Sequence, residues 1–365
     1  MSSSVRDVAT RWTTVVPAVA VVALAFTWGW KGLPAVVVAI TAVLLVGAVL
    51  AAVHHAEVVA HRVGEPYGSL VLAVAVTVIE VALIVTLMIT AAEGNEALAR
   101  DTVFAAVMIT CNGIVGICLV LAALRDPRVV INNEGVGSAL AAVAALTTLS
   151  LALPTFTTSS PGPTFSTAQL TFAAIASIGV YGLFVFVQTV RHRDFFLPPG
   201  DSPAAADPDE HAVAPSDRAA VTSLVLLLVA LVAVVGLAKV DSPTIESAVE
   251  DAGLPASVVG VVIALLVLAP ETAVRAARRG RVQTSMNLAL GSAMASIGLT
   301  IPVIAVASVW LEGPLVLGLG GTQLVLLALT VAVGTLTLTN GRATVLSGGV
   351  HLAVAGAFIV TALSP

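Results

Sequence analysis

Two glutamates stand inside long apolar runs. Glu80 closes Val76-Thr77-Val78-Ile79-Glu80 with mostly apolar residues for about ten positions on either side, and Glu271 follows Val267-Leu268-Ala269-Pro270 after a similar run. The other nineteen of the 21 acidic residues can be placed in polar stretches or at the ends of apolar ones. A charge deep in a bilayer costs at least about 2.5–3.5 kcal/mol, so a carboxylate kept there marks function by default. Paired carboxylates suit a hard divalent cation such as Ca²⁺, which takes six to eight oxygens at about 2.3–2.6 Å. The same oxygens can hold protons instead, because crowding and desolvation favour the neutral acid. Competition of cation and proton for one set of oxygens is an exchange mechanism. The remaining ligands would be neutral oxygens: the Thr77 hydroxyl one turn before Glu80, then Asn112, Ser292 and Asn287. Backbone carbonyls would join them where Pro270 breaks its helix by removing a donor and clashing with the preceding turn.

The elements that must position these groups are membrane helices. Of 365 residues, 58% are hydrophobic and 10% charged, against about 45–50% and about 25% in soluble domains. Soluble folds are excluded, and the length leaves no room for an extramembranous catalytic domain. A net charge of −5 without a basic block excludes nucleic acid as a partner. Membrane lipid, the transported cation and protons are the expected partners, with no cofactor; oligomeric state is left open. Cys111 and Cys118 fall seven apart in one apolar run and read as inert packing residues.

Hydropathy gives eleven candidate spans, at about 13–30, 33–53, 69–91, 102–124, 138–156, 167–190, 219–238, 256–275, 285–310, 314–334 and 343–362. With the N-terminus cytoplasmic, every one of the 16 Lys and Arg residues except Lys31, Arg100 and Lys239 falls on the inner side, as the positive-inside rule requires. The expectation is a multi-pass protein of the cell (inner or plasma) membrane with a cytoplasmic N-terminus and an external C-terminus. Residues 1–31 hold an N-terminal helix retained as a first span, and 191–218, rich in Pro, Ala and Asp, read as a flexible acidic cytoplasmic linker. The linker separates 32–190 from 219–365, each with five spans. An odd number per half inverts the second half, the plan of many secondary transporters. The predicted fold is therefore an all-α polytopic membrane protein of about 11 transmembrane helices, one N-terminal helix plus two inverted five-helix repeats. The halves share a pattern: Gly64-Glu65-Pro66 and Gly253-Leu254-Pro255 each open a span that reaches an acid.

The stretch Gly64-Glu65-Pro66-x-Gly68, Thr77-Val-Ile-Glu80-Val-Ala-Leu-Ile written in register, Leu98-Ala-Arg-Asp-Thr-Val-Phe104 and Asn112-Gly113 resembles the first repeat of bacterial calcium/proton antiporters of the calcium/cation antiporter superfamily. Leu268-Ala-Pro-Glu271, Asn287-Leu-x-Leu-Gly-Ser-Ala293 and Ile297-Gly-Leu-Thr-Ile-Pro302 resemble the second. The resemblance implies a transporter rather than an enzyme, exporting Ca²⁺ against proton entry, with Glu80 and Glu271 in the ion-binding glutamate positions and Asn112 and Ser292 in the helices that complete the site. Many members carry Gly-Asn-x-x-Glu in both repeats; this chain has Val76-Thr77-x-x-Glu80 and Val267-Leu268-x-x-Glu271. Loss of two amide oxygens leaves a Na⁺ or K⁺/proton antiporter using the same site as the alternative.

Further groups have plainer readings. His54, Glu57 and His61 share a helical face and could collect cations, but an interfacial polar face explains them; Ser296 lies one turn beyond Ser292. His351 reads as a satisfied buried histidine and Asp101 as an acid at a helix start. Arg275 lies four residues after Glu271, so it either lines a cytoplasmic cavity or pairs with that acid. An intramembrane hydrolase would need a His-Glu-x-x-His helix or a paired Asp or Ser/His arrangement in the spans, and none is present. A passive channel is separated from an exchanger by stoichiometric counter-transport.

Overall fold

The computed structural model describes residues 3–30, 32–64, 67–90, 96–126, 129–197, 215–268, 271–310, 313–342 and 344–364. The described residues are helical apart from short connections and two isolated bridges, Val130 with Arg342 and Thr164 with Val316. The helices are α1 (Ser3–Thr27), α2 (Ala35–Val63), α3 (Tyr67–Thr90), α4 (Leu98–Met108), α5 (Val115–Arg125), α6 (Asn133–Thr147), α7 (Thr167–Phe186), α8 (Asp217–Asp251), α9 (Ser257–Leu268), α10 (Glu271–Arg278), α11 (Val282–Ala307), α12 (Gly321–Leu338) and α13 (Val345–Leu363). Among the described residues nine helical stretches are long and apolar enough to cross a membrane. Two more of the expected spans fall on the shorter apolar helices Trp12–Thr27 and Ser257–Leu268.

The helices begin and end where local chemistry says they should. Ser216 accepts from the Ala219 amide and Thr344 from the Ser347 amide, capping α8 and α13. Gly64 ends α2 at φ +77° and Gly253 follows α8 at φ +66°, a region open to glycine at little cost. The matching glycines precede the two acid-bearing helical stretches, as the repeat pattern expects.

The boundaries differ from the hydropathy reading in three ways. First, α2 runs on to Val63 and α8 to Asp251, past the predicted 53 and 238. Hydropathy falls at the first charges, but the backbone ladder continues through them, and in α8 even through Pro243. Second, the expected span 314–334 begins only at Gly321. Residues before it are extended: the Val316, Gly318 and Leu319 amides donate to Glu96, Pro163 and Leu151 carbonyls at 3.1, 2.9 and 2.9 Å. Third, residues 191–197 of the expected linker form turns, with Phe196 buried; 198–214 lie outside the described residues.

The chain divides into two compact units, Met1–Asn95 with Val213–Val259, and Glu96–Ala212 with Gly260–Pro365. In the first, α2 packs along α8, with α1 and α3 against both. Small residues are buried on both helices: Ala48, Ala51, Ala52 and Ala56 of α2 and Ala230, Ala233 and Ala238 of α8. Small side chains let helix backbones approach closely, which is how membrane helices gain packing energy. In the second unit α11 is the hub, touching α4, α5, α6, α7 and α10, while α13 packs on α5 and α12.

Candidate functional site

Glu80 lies in the middle of α3 and is fully buried. Thr77, one turn earlier, is on the same face and also buried. Its hydroxyl donates to the Ala73 carbonyl at 2.9 Å. A hydroxyl has one hydrogen and two lone pairs, so a donated hydrogen leaves the Thr77 oxygen able to face a cation. The expected pairing of acid and neutral oxygen on one helix face is thus present in the first unit.

In the second unit α9 ends at Leu268 and α10 starts at Glu271. Pro270 lies outside the described residues, as do the side chains of Glu271 and Arg275. Glu271 is the first residue of α10. The first four amides of a helix lack helical acceptors, so its backbone position differs from that of Glu80, which is embedded in a continuous helix.

Asn112 is fully buried at the centre of a π-helical turn, Ile109–Ile114, joining α4 to α5. Such bulges insert an extra residue into the ladder and recur at functional sites. The amide is engaged across the unit: Nδ2 donates to Thr330 Oγ1 of α12 at 2.9 Å, and Oδ1 lies 3.3 Å from His351 Nδ1 of α13. His351 Nε2 lies 2.8 Å from Thr337 Oγ1. The Thr337 hydroxyl also donates to the Val333 carbonyl at 2.8 Å, so one hydrogen is contested between that carbonyl and Nε2. The histidine expected to be buried and satisfied is both, and its partner is a predicted site residue.

Asn287 is half-buried and stands in a different setting. Its Nδ2 donates to the Phe196 carbonyl at 2.6 Å and its Oδ1 accepts from Gln283 Nε2 at 3.0 Å. It clasps the turn that follows α7. Ser292 is half-buried and Ser296 fully buried, one turn apart on α11. Thr300 continues that face, buried, with a hydroxyl that has no hydrogen-bond partner among the described residues; the same holds for Thr110 in the π turn and for the Tyr181 hydroxyl of α7. Sequence reading missed Thr110 and Thr300, because a threonine in an apolar helix normally bonds its own preceding turn. Thr110 stands in the π turn, which shifts the carbonyls and is invisible in hydropathy, and Thr300 stands in the α-helix α11.

His54 and Glu57 are half-buried on α2 and His61 is exposed. Among the described residues no three His, Cys, Asp or Glu side chains gather as a metal-binding group. The neighbour His55, which the spacing argument passed over, is the buried one, its Nε2 3.0 Å from the Thr13 carbonyl of α1. Asp101 is buried and tied to α12: Arg100 Nε donates to Asp101 Oδ1 at 2.8 Å and Gln323 Nε2 at 3.2 Å.

The sequence matches the family model described as sodium/calcium exchanger protein over residues 33–190 and 222–364. It is 50% identical over 332 residues to y4hA of Sinorhizobium fredii (strain NBRC 101917 / NGR234), an ionic transporter by name, covering 90% of this chain and 89% of that protein. It is 33% identical over 352 residues to the sodium-potassium/proton antiporter ChaA of Escherichia coli (strain K12), covering 95% and 94%. Among solved structures it is similar to the Ca²⁺/H⁺ antiporter protein YfkE, at TM-score 0.66 and 15% identity, over 96% of this chain and 99% of that one. At that identity the likeness is one of fold.

Proposed function

Because the chain belongs to the sodium/calcium exchanger protein family, and is therefore a multi-pass membrane cation antiporter rather than an enzyme, we propose that it exchanges cytoplasmic Ca²⁺ for external protons by alternating access, with Glu80 and Glu271 binding cation and protons in turn. The observation that carries this reading is Glu80, a fully buried acid in the middle of an apolar helix with Thr77 beside it. With the glutamates ionised the protein loads a cation from the cytoplasm. Facing outward, protons displace the cation and the neutral carboxyls return. Charge left uncompensated in either step couples the cycle to the membrane potential at about 2.3 kcal/mol per elementary charge per 100 mV. Thr77 supplies a neutral oxygen on the face of Glu80; Asn112 and Asn287, expected as further neutral ligands, also hydrogen-bond protein partners.

A second reading is exchange of Na⁺ or K⁺ for protons at the same glutamates. It is favoured by the 33% identity to a sodium-potassium/proton antiporter along nearly the whole chain. The Val76-Thr77-x-x-Glu80 and Val267-Leu268-x-x-Glu271 sequences agree with it, since they lack the amides of Gly-Asn-x-x-Glu. Proton movement in everted vesicles, followed with a pH-sensitive dye on adding Ca²⁺, Na⁺ or K⁺ separately, decides between them. Release of trapped protons by Ca²⁺ supports the first reading, and release by Na⁺ or K⁺ alone the second. Proton release by none of the three contradicts both.

A further inference from the structure

Besides Asp101, which accepts from Arg100 and Gln323, the exchange cycle leaves a further buried carboxyl unused among the described residues. Asp241, in α8, is fully buried against α2. Sequence reading set it at the end of a span, because hydropathy falls at Lys239 and Asp241; the helix instead continues ten residues beyond it. Asp241 Oδ1 lies 2.6 Å from Thr41 Oγ1. That same hydroxyl oxygen is 3.0 Å from the Val37 carbonyl and 2.9 Å from the Val38 carbonyl of its own helix.

Thr41 owns one hydrogen. Given to a carboxylate, it deserts the carbonyls of α2. Given to those carbonyls, it leaves the 2.6 Å contact without a hydrogen unless Asp241 supplies one, and 2.6 Å is an ordinary O–H···O length. The other oxygen decides between the two. Asp241 Oδ2 is buried and has no hydrogen-bond partner among the described residues. A buried anionic oxygen without a donor is much more costly than the carbonyl oxygen of a neutral acid.

Compensating charge lies elsewhere on the packed helices. On α2 the ionisable groups are His54, His55, Glu57, His61 and Arg62, all in its far half from Thr41. On α3 they are Tyr67 and Glu80, and the described side chains of α1 include none. On α8 itself, Lys239 Nζ stands 4.9 Å over the Trp28 ring and Glu246 accepts from Ser242 Oγ at 2.8 Å. Asp217, Arg218, Glu250 and Asp251 lie at its ends.

We propose that Asp241 is a proton-binding site separate from the exchange glutamates: as a neutral acid it donates to Thr41 and ties α8 to α2. Loss of that proton to water at the Asp251 end of α8 loosens the tie, because among the described residues the resulting anion finds only the Thr41 hydrogen, taken from the α2 carbonyls, and Oδ2 is left without a donor. The tie has a counterpart at the other end of the pair, where Arg62 Nε donates to Asp217 Oδ1 at 2.7 Å on the surface. Thr41 and Arg62 are separated by about 32 Å of helix at 1.5 Å per residue, roughly the thickness of the hydrocarbon core. The surface clasp joins an exposed cation to a carboxylate, whereas the proposed buried clasp needs a proton on its carboxyl to form.

Two measurements on the full chain in lipid test this without using transport, so they stand whether or not the exchange reading survives. In infrared difference spectra, the carbonyl stretch of a neutral carboxylic acid is expected in the wild type near neutral pH. It should be missing in Asp241→Asn, shifted in Thr41→Val, and lost from the wild type on alkalinisation. Wild-type and Asp241→Asn spectra that coincide in this region from acid to alkaline pH would overturn the proposal. Asp241→Asn keeps the shape and neutrality of the acid and so preserves the fold. Spin labels at the exposed positions Val36 and Thr244 then report the tie. Their separation should grow as the acid band disappears in the wild type and stay constant in Asp241→Asn. A separation that stays constant in the wild type while the band is lost overturns the link between the proton and the contact.

Discussion

Asn112 shows how much a single residue type can announce and how much it cannot. An amide in an apolar run must find partners, so its importance was legible. The partners were not: Thr330 and His351 lie 218 and 239 residues away in the chain. Removing the amide in Asn112→Ala takes the donor from Thr330 Oγ1, whose own hydrogen still goes to the Leu326 carbonyl, and takes the Oδ1 partner from His351 Nδ1. The expected cost is about 1–3 kcal/mol, the penalty for a buried polar group left unsatisfied, and it is read as a lower midpoint of thermal unfolding in detergent. Asn112→Ala as stable as the wild type would show that the network does not hold α5, α12 and α13 together. Asp241 is the reverse case, a residue whose type was visible but whose burial was hidden by its place next to Lys239.

Helices were the most legible elements, because uninterrupted apolar runs admit little else in a bilayer. What hydropathy could not deliver was the stretch before α12, where apolar residues are extended. Glycine is required there: a Cβ on Gly318 would stand 2.6 Å from both Pro163 Cβ and Thr155 Oγ1. Crossings between helices were equally hidden. At the contact of α5 with α13, a Cβ on Gly348 would meet Val120 Cγ2 at 2.6 Å and the Gly116 carbonyl and Val120 amide at 2.8 Å. The neighbouring Gly349 has open space around its Cβ position. Gly348→Leu is therefore expected to force the two helices apart and lower the yield of folded, monodisperse protein severalfold in size-exclusion chromatography, while Gly349→Leu behaves as wild type. Equal profiles for the two variants would contradict the packing described.

At the scale of the molecule, each compact unit draws on both sides of the linker: α2 and α3 with α8 in one, α4 to α7 with α10 to α13 in the other. Five spans in each of 32–190 and 219–365, with the N-terminal span set aside, were legible as an expectation from hydropathy. The regrouping was not, since it depends on which small-residue faces meet. Charge placement predicts a cytoplasmic N-terminus and an external C-terminus, and the free cysteines Cys111 and Cys118 are buried, giving a silent background for testing it. Ser364→Cys should react with a membrane-impermeant maleimide added to intact cells; labelling only after the membrane is opened would invert the topology. The central claim is that Glu80 and Glu271 are the groups that cation and proton share. It is tested most directly in proteoliposomes by measuring cation uptake and proton release together for the wild type, Glu80→Gln and Glu271→Gln. Fixed-ratio counter-movement in the wild type, abolished in each variant while the protein remains folded, is the predicted result. Full proton-coupled exchange in either variant would contradict the account.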